Sequence, residues 1–151
     1  MKTQTRTLPE WEKIDALDLS YLYDELQDRK RGPGWTIKQV NEGIESYKFF
    51  LKIRAKYPKM ELIPTATIDK VWHSHILRTE FYARDCDNIF GRFIHHRPTF
   101  NKSTEELAHF KKKFRETQRL MFEEFGEQPE ADGIGFCLDP SPSCCSHTVS
   151  C

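Results

Sequence analysis

Asp69–Leu77, DKVWHSHIL, sets two histidines two residues apart, directly behind a tryptophan, in a segment with helical periodicity. How this segment folds decides where the histidines point. The apolar spacing predicts one helix from Thr65 or Thr67 to about Phe90, with Gly91 as its C-cap. Stepping about 100° per residue from Trp72 gathers Ile68, Val71, His75, Ile76, Thr79, Tyr82, Cys86, Ile89 and Phe90 on one side. His75 falls inside that core-facing stripe. His73 lies about 160° away from it, one turn beyond Asp69. Two histidines so opposed cannot chelate one ion from an unbroken helix, unlike a pair at i and i+4.

Outward from this segment, the other helix signals are clear. Leu19–Arg31 is expected to be a helix closed by Gly32, Pro33 and Gly34. Thr36 and Gln39 fit a capping box, and Ile37, Val40, Ile44, Tyr47 and Leu51 carry a helical stripe to about Tyr57, before Pro58. Ser103 and Glu106 fit a second box, followed by Leu107, Phe110, Phe114, Met121 and Phe125 up to Gly126. With no strong period-two segment, the expectation is an all-α fold. It is a compact single-domain bundle of about four main helices.

The expected domain spans residues 1–126. Residues 127–151 hold four acids, no Lys or Arg, three prolines and four cysteines, and lack a periodic apolar face. They are expected to form a poorly structured, flexible tail.

The chain has 151 residues, enough for one ordinary domain with a real core. Lys+Arg and Asp+Glu both number 23, so no net field recruits nucleic acid or an anionic membrane. The basic runs Arg29–Arg31 and Lys111–Lys113 suit solvated helix ends. The N-terminus shows no apolar signal segment, and no apolar run approaches the ~20 residues of a membrane span. A cytoplasmic location with reduced thiols is the expectation.

Four of the six histidines lie between residues 73 and 96, the second pair being His95-His96 in GRFIHHRP. A metal at His75 needs further ligands from another segment, because Cys86 is eleven residues on, roughly 16 Å along a helix. The His95-His96 pair beyond Gly91 is the natural source, since a chain leaving a helix end can fold back along it. The candidate set is therefore His75 with His95 or His96, and His73, holding Zn²⁺ or Fe²⁺. Asp69, at i−4, is placed to orient His73. The alternative is a hydrogen-bonded structural cluster with His75 in the core. In the tail, Cys144, Cys145, His147 and Cys151 lie within eight residues, a soft set suited to Cu(I) or Zn²⁺. There is no Ser-His-Asp order, no phosphate-cradling glycine loop and no readable pair of catalytic carboxylates.

Residues 68–98 resemble the signature of the glycine-rich domain-containing protein-like family through Asp69, Trp72, His73, Ser74, His75, Tyr82, Asp85, Gly91 and His95 or His96. The resemblance extends over residues 10–126 and implies an all-helical domain without a defined activity. It points to a small bacterial-type member with a cysteine-containing tail. The tail departs from that pattern in holding only Gly133 and Gly135. Two roles follow. One is a binding or scaffold module with a protein partner, in which the WHSH…HH cluster fixes the fold. The other is a metal-dependent enzyme using that cluster, with thiol or metal handling by the tail as a further alternative.

Overall fold

Three hydroxyl side chains decide where the main helices begin. Residues 8–97 and 103–126 are described in the computed structural model. Thr36 accepts from the Gln39 backbone while the Gln39 side chain accepts from the Thr36 backbone, opening α3 (Ile37–Lys56). Ser103 and Glu106 repeat this at α6 (Thr104–Phe125). Thr65 accepts from the Ile68 N–H to start α4 (Ala66–Leu77). Gly91 and Gly126 close α5 (Thr79–Phe90) and α6 with φ of 65° and 69°, a left-handed turn that costs glycine little.

The described residues contain α-helices and no strand, with six helices rather than about four. The additional elements arise in two places. The segment expected as one helix over Leu19–Arg31 is a 3₁₀ turn, Ser20–Leu22, leading into a short α2 (Tyr23–Gln27). It stops at Asp28 because that carboxylate takes the backbone N–H groups of Lys30 and Arg31, which competes with helical pairing. Ahead of it, α1 (Pro9–Asp15) has Pro9 in its first turn and buries Trp11 and Ile14 three residues apart. No helix is expected from the sequence at α1.

The second departure matters more. The helix expected to run unbroken to Phe90 is divided at Arg78, where φ −86° and ψ 66° separate α4 from α5. The cause is tertiary. Residues ten apart stand about 15 Å apart along a straight helix. Here Trp72 Nε1 donates to Tyr82 Oη at 2.9 Å, and His75 Nε2 meets Asp85 Oδ2 at 3.0 Å. Only a sharp turn between them permits both contacts.

The core is arranged around α3, whose Val40, Tyr47, Phe50, Leu51 and Ile53 are buried. α4 approaches it closely at Gly43, where an added Cβ would lie 2.9 Å from the Trp35 ring and 3.3 Å from both Thr67 and Val71. On the opposite flank, Lys52 is buried among the rings of Trp11, Phe49 and Phe125 and pairs with Asp15 at 2.6 Å. α6 is tied on through Thr117, whose hydroxyl accepts from the Ile63 N–H. Among the described residues no helix is long and apolar enough to cross a membrane. The tail expected at 127–151, with Cys137, Cys144, Cys145, His147 and Cys151, lies outside the described residues.

Candidate metal centre on helix α4

α4 presents two chemically different faces, and the two histidines of WHSH sit on separate ones. The inner face carries Ile68, Val71, Trp72 and His75, all buried. His75 Nε2 faces the Asp85 carboxylate, which only accepts, so Nε2 bears the hydrogen. Nδ1 then accepts from the Tyr47 hydroxyl at 2.9 Å. Arg84 closes the chain on Asp85 Oδ1 at 3.1 Å. Burial pushes the His75 imidazole below its ordinary value, with Asp85 acting against that shift. Both ring nitrogens are thus engaged in a neutral, interior relay across α3, α4 and α5.

Both ring nitrogens of His75 are hydrogen-bonded within the core, and His75 is not among the ligand-type side chains that converge. The pairing of His75 with the HH segment is replaced by another grouping. Asp69 and His73, one turn apart on the second face of α4, are met by His96 from the connector after α5. The Asp69 carboxylate bridges two imidazoles, with Oδ1 at 2.8 Å from His96 Nε2 and Oδ2 at 3.3 Å from His73 Nδ1. His73 Nδ1 also lies 2.8 Å from the Asp69 carbonyl, which fixes the ring's orientation. The rings of His73 and His96 are 4.6 Å apart, and His96 lies flat on Trp72 at 4.2 Å.

The electrostatics match the geometry. Burial works to raise the Asp69 carboxyl, yet its contacts to His73 and His96 prevail and hold it below the usual carboxylate value. The bond to Asp69 raises His73 against the opposing effect of burial. One ligand atom from each of Asp69, His73 and His96 lies within 4.8 Å of the others. Side-chain exposure is 12% for Asp69, 6% for His96 and 31% for His73, so solvent reaches the cluster on the His73 side. Two histidines and one carboxylate are a donor set for Zn²⁺ or Fe²⁺ that leaves coordination positions open.

His95, the other member of the expected pair, is exposed and rests against Phe93 at 4.9 Å. Burial alternates along the connector: Ile94 and His96 point inward, Phe93 and His95 outward. The sequence does not mark which histidine turns inward, since Phe93 and Ile94 are both apolar, and the choice is made by packing. Asp69, expected from the sequence as the orienting partner of His73, joins the cluster as a third ligand-type side chain. Its own signal was the i, i+4 spacing that places both donors on one face. Cys86 is buried as a free thiol, pushed up by that burial and therefore held away from the reactive thiolate.

The profile of the UCP032817-like family matches residues 14–126, about three quarters of the chain, and the chain belongs to that family. This corrects the resemblance to the glycine-rich domain-containing protein-like family. The residues that suggested it, Asp69 through His96, fall within the matched range. Neither the curated proteins nor the solved structures give a match.

Proposed function

We propose that this UCP032817-like protein is a metal-dependent helical module holding Zn²⁺ or Fe²⁺ on Asp69, His73 and His96. The observation behind this reading is the convergence of three ligand atoms, drawn from α4 and from the connector after α5, within 4.8 Å. Asp69 supplies the negative charge, the two imidazoles supply neutral nitrogen donors, and the partly exposed His73 opens the cluster to solvent. A bound ion would supply Lewis acidity there, lowering the pKa of a coordinated water. The chain's own residues orient the ligands. Asp69 holds His73 through its carbonyl, and Trp72 supports the His96 ring from beneath.

A second reading is favoured by one contact. Asp69 Oδ1 already stands 2.8 Å from His96 Nε2, close enough for the cluster to act as a staple between α4 and the connector. The protein would then be a binding or scaffold module whose fold is secured there, with a protein as its partner. The thiol or metal-handling role of Cys144, Cys145, His147 and Cys151 rests on sequence spacing alone.

Titration of chelator-treated full-length protein with Zn²⁺ or Fe²⁺ under anaerobic conditions separates the two. The metal reading expects one equivalent to bind, with affinity at least about tenfold weaker in Asp69→Asn and His96→Ala, as loss of a ligand demands. His95→Ala and Cys144→Ser should bind as the wild type does. Saturable binding unaffected by Asp69→Asn would place the ion elsewhere. No binding by a folded wild-type protein would leave the scaffold reading.

A further inference from the structure

We propose that Tyr82 is a positioning residue of the metal centre, its hydroxyl setting where the connector lies and so bringing His96 to Asp69. The inference rests on the metal reading of the cluster. His96 is the one donor of the three that α4 does not carry, and its placement depends on the chain beyond Gly91. Asp69 and His73 share a helix and keep their spacing whatever the connector does.

The fold anchors the connector at the Ile94 main chain, two residues before His96, where the Ile94 backbone also meets the Cys86 thiol. Tyr82, 2% exposed, donates its hydroxyl hydrogen to the Ile94 carbonyl at 2.5 Å. The same oxygen accepts from Trp72 Nε1 at 2.9 Å. Ile94, 1% exposed, is the inward residue two places before His96, so fixing its carbonyl sets both the depth and the phase of the segment. A slip of one residue would exchange His96 for His95 at the centre.

Trp72 completes the device. Its indole N–H is tied to Tyr82 while its ring face carries His96 at 4.2 Å. The hydroxyl therefore governs His96 by two routes, through the main chain at Ile94 and through the orientation of the ring beneath it. Burial raises the Tyr82 phenol well above its ordinary value, which keeps it a neutral donor. The ring itself packs edge-on against His75 at 4.9 Å and Phe93 at 5.2 Å. Tyr82→Phe keeps that packing and removes only the oxygen.

The test uses Co²⁺ and Zn²⁺ titrations of full-length Tyr82→Phe, His96→Ala, Tyr47→Phe and wild type, with the visible d–d absorption of bound Co²⁺ recorded. Tyr82→Phe should bind at least about tenfold more weakly, the range expected for an outer-shell partner. Its Co²⁺ spectrum should shift toward that of His96→Ala. Tyr47→Phe removes a buried hydroxyl whose hydrogen bond is to His75 in the relay, not to Ile94. It should melt lower than wild type yet retain affinity within about twofold and an unchanged spectrum. This separates positioning from general destabilisation. Should Tyr82→Phe fail to fold, Trp72→Phe, which removes the indole N–H, carries the same expectations. Wild-type protein that binds neither ion overturns the metal reading and this inference with it. Wild type and Tyr82→Phe with equal affinity and identical spectra overturn the positioning role alone.

Discussion

Replacing His75 by alanine probes the relay that makes α4 and α5 separate helices. The imidazole is 2% exposed and lies between the Tyr47 hydroxyl at 2.9 Å and the Asp85 carboxylate at 3.0 Å. Its loss strands the hydroxyl of Tyr47, a fully buried residue, at a cost of about 1–3 kcal/mol. Breaking a buried charged contact by removing one partner costs roughly 3–5 kcal/mol when the remaining charge has no other partner. Asp85 keeps Arg84, whose side chain is 62% exposed, so its charge is not abandoned and only a fraction of that second figure applies. The sum is about 3 kcal/mol. With an m-value of about 1.5 kcal/mol/M, the urea midpoint should fall by about 2 M. The assay is urea unfolding followed by far-ultraviolet circular dichroism at pH 7.5 in chelator. Tyr47→Phe should cost about 1–2 kcal/mol, because it leaves only the His75 Nδ1 acceptor unpaired. In the double variant the losses should fall short of additivity by about 1 kcal/mol, since each single change breaks the same bond. A loss below 1 kcal/mol for His75→Ala, or strict additivity with Tyr47→Phe, would refute the relay.

Two further outcomes follow from individual contacts. Thr117 is fully buried, accepting from the Ile63 N–H at 3.0 Å and donating to the Lys113 carbonyl at 2.9 Å. Thr117→Val keeps the shape but strands the Ile63 N–H, and should cost about 1–3 kcal/mol in the same urea assay; a loss under 0.5 kcal/mol, about the spread of neutral substitutions, would count against that bond. In metal-free protein, the raised pKa of His73 means that the folded state binds its proton more tightly than the unfolded chain does. That contribution is complete below the unfolded value of about 6.5 and disappears as pH rises through the folded one. His73→Gln should therefore destabilise more at pH 5.5 than at pH 8.5. Equal losses at the two pH values would mean that Asp69 does not hold the charged imidazole. His75, lowered by burial, acts in the opposite sense: its contribution is lost as pH falls below about 6.5, and His73→Gln leaves this in place.

The helical class and most of the long-helix ends were written locally. Thr36 with Gln39 and Ser103 with Glu106 carry their own capping partners, and Gly91 and Gly126 supply the left-handed turns that stop α5 and α6. Such signals depend on residues within one turn of each other, so the sequence alone suffices to read them. The opposed directions of His73 and His75 were equally legible, because both lie on one helix whose pitch fixes the angle between them. The break at Arg78 was not. No glycine or proline marks it, and the contacts that require it, Trp72 to Tyr82 and His75 to Asp85, join residues ten apart. Helical periodicity runs through that point undisturbed, so only the burial of those polar groups decides that the chain turns. The grouping of the site was decided at the same level. Asp69 and His73 were neighbours by spacing, but bringing His96 rather than His95 or His75 to them required the connector to fold back along α4. That path is set by the anchoring of Ile94 on Tyr82 and by the stacking of His96 on Trp72. These are contacts between segments more than ten residues apart, and their geometry exists only once the helices have packed.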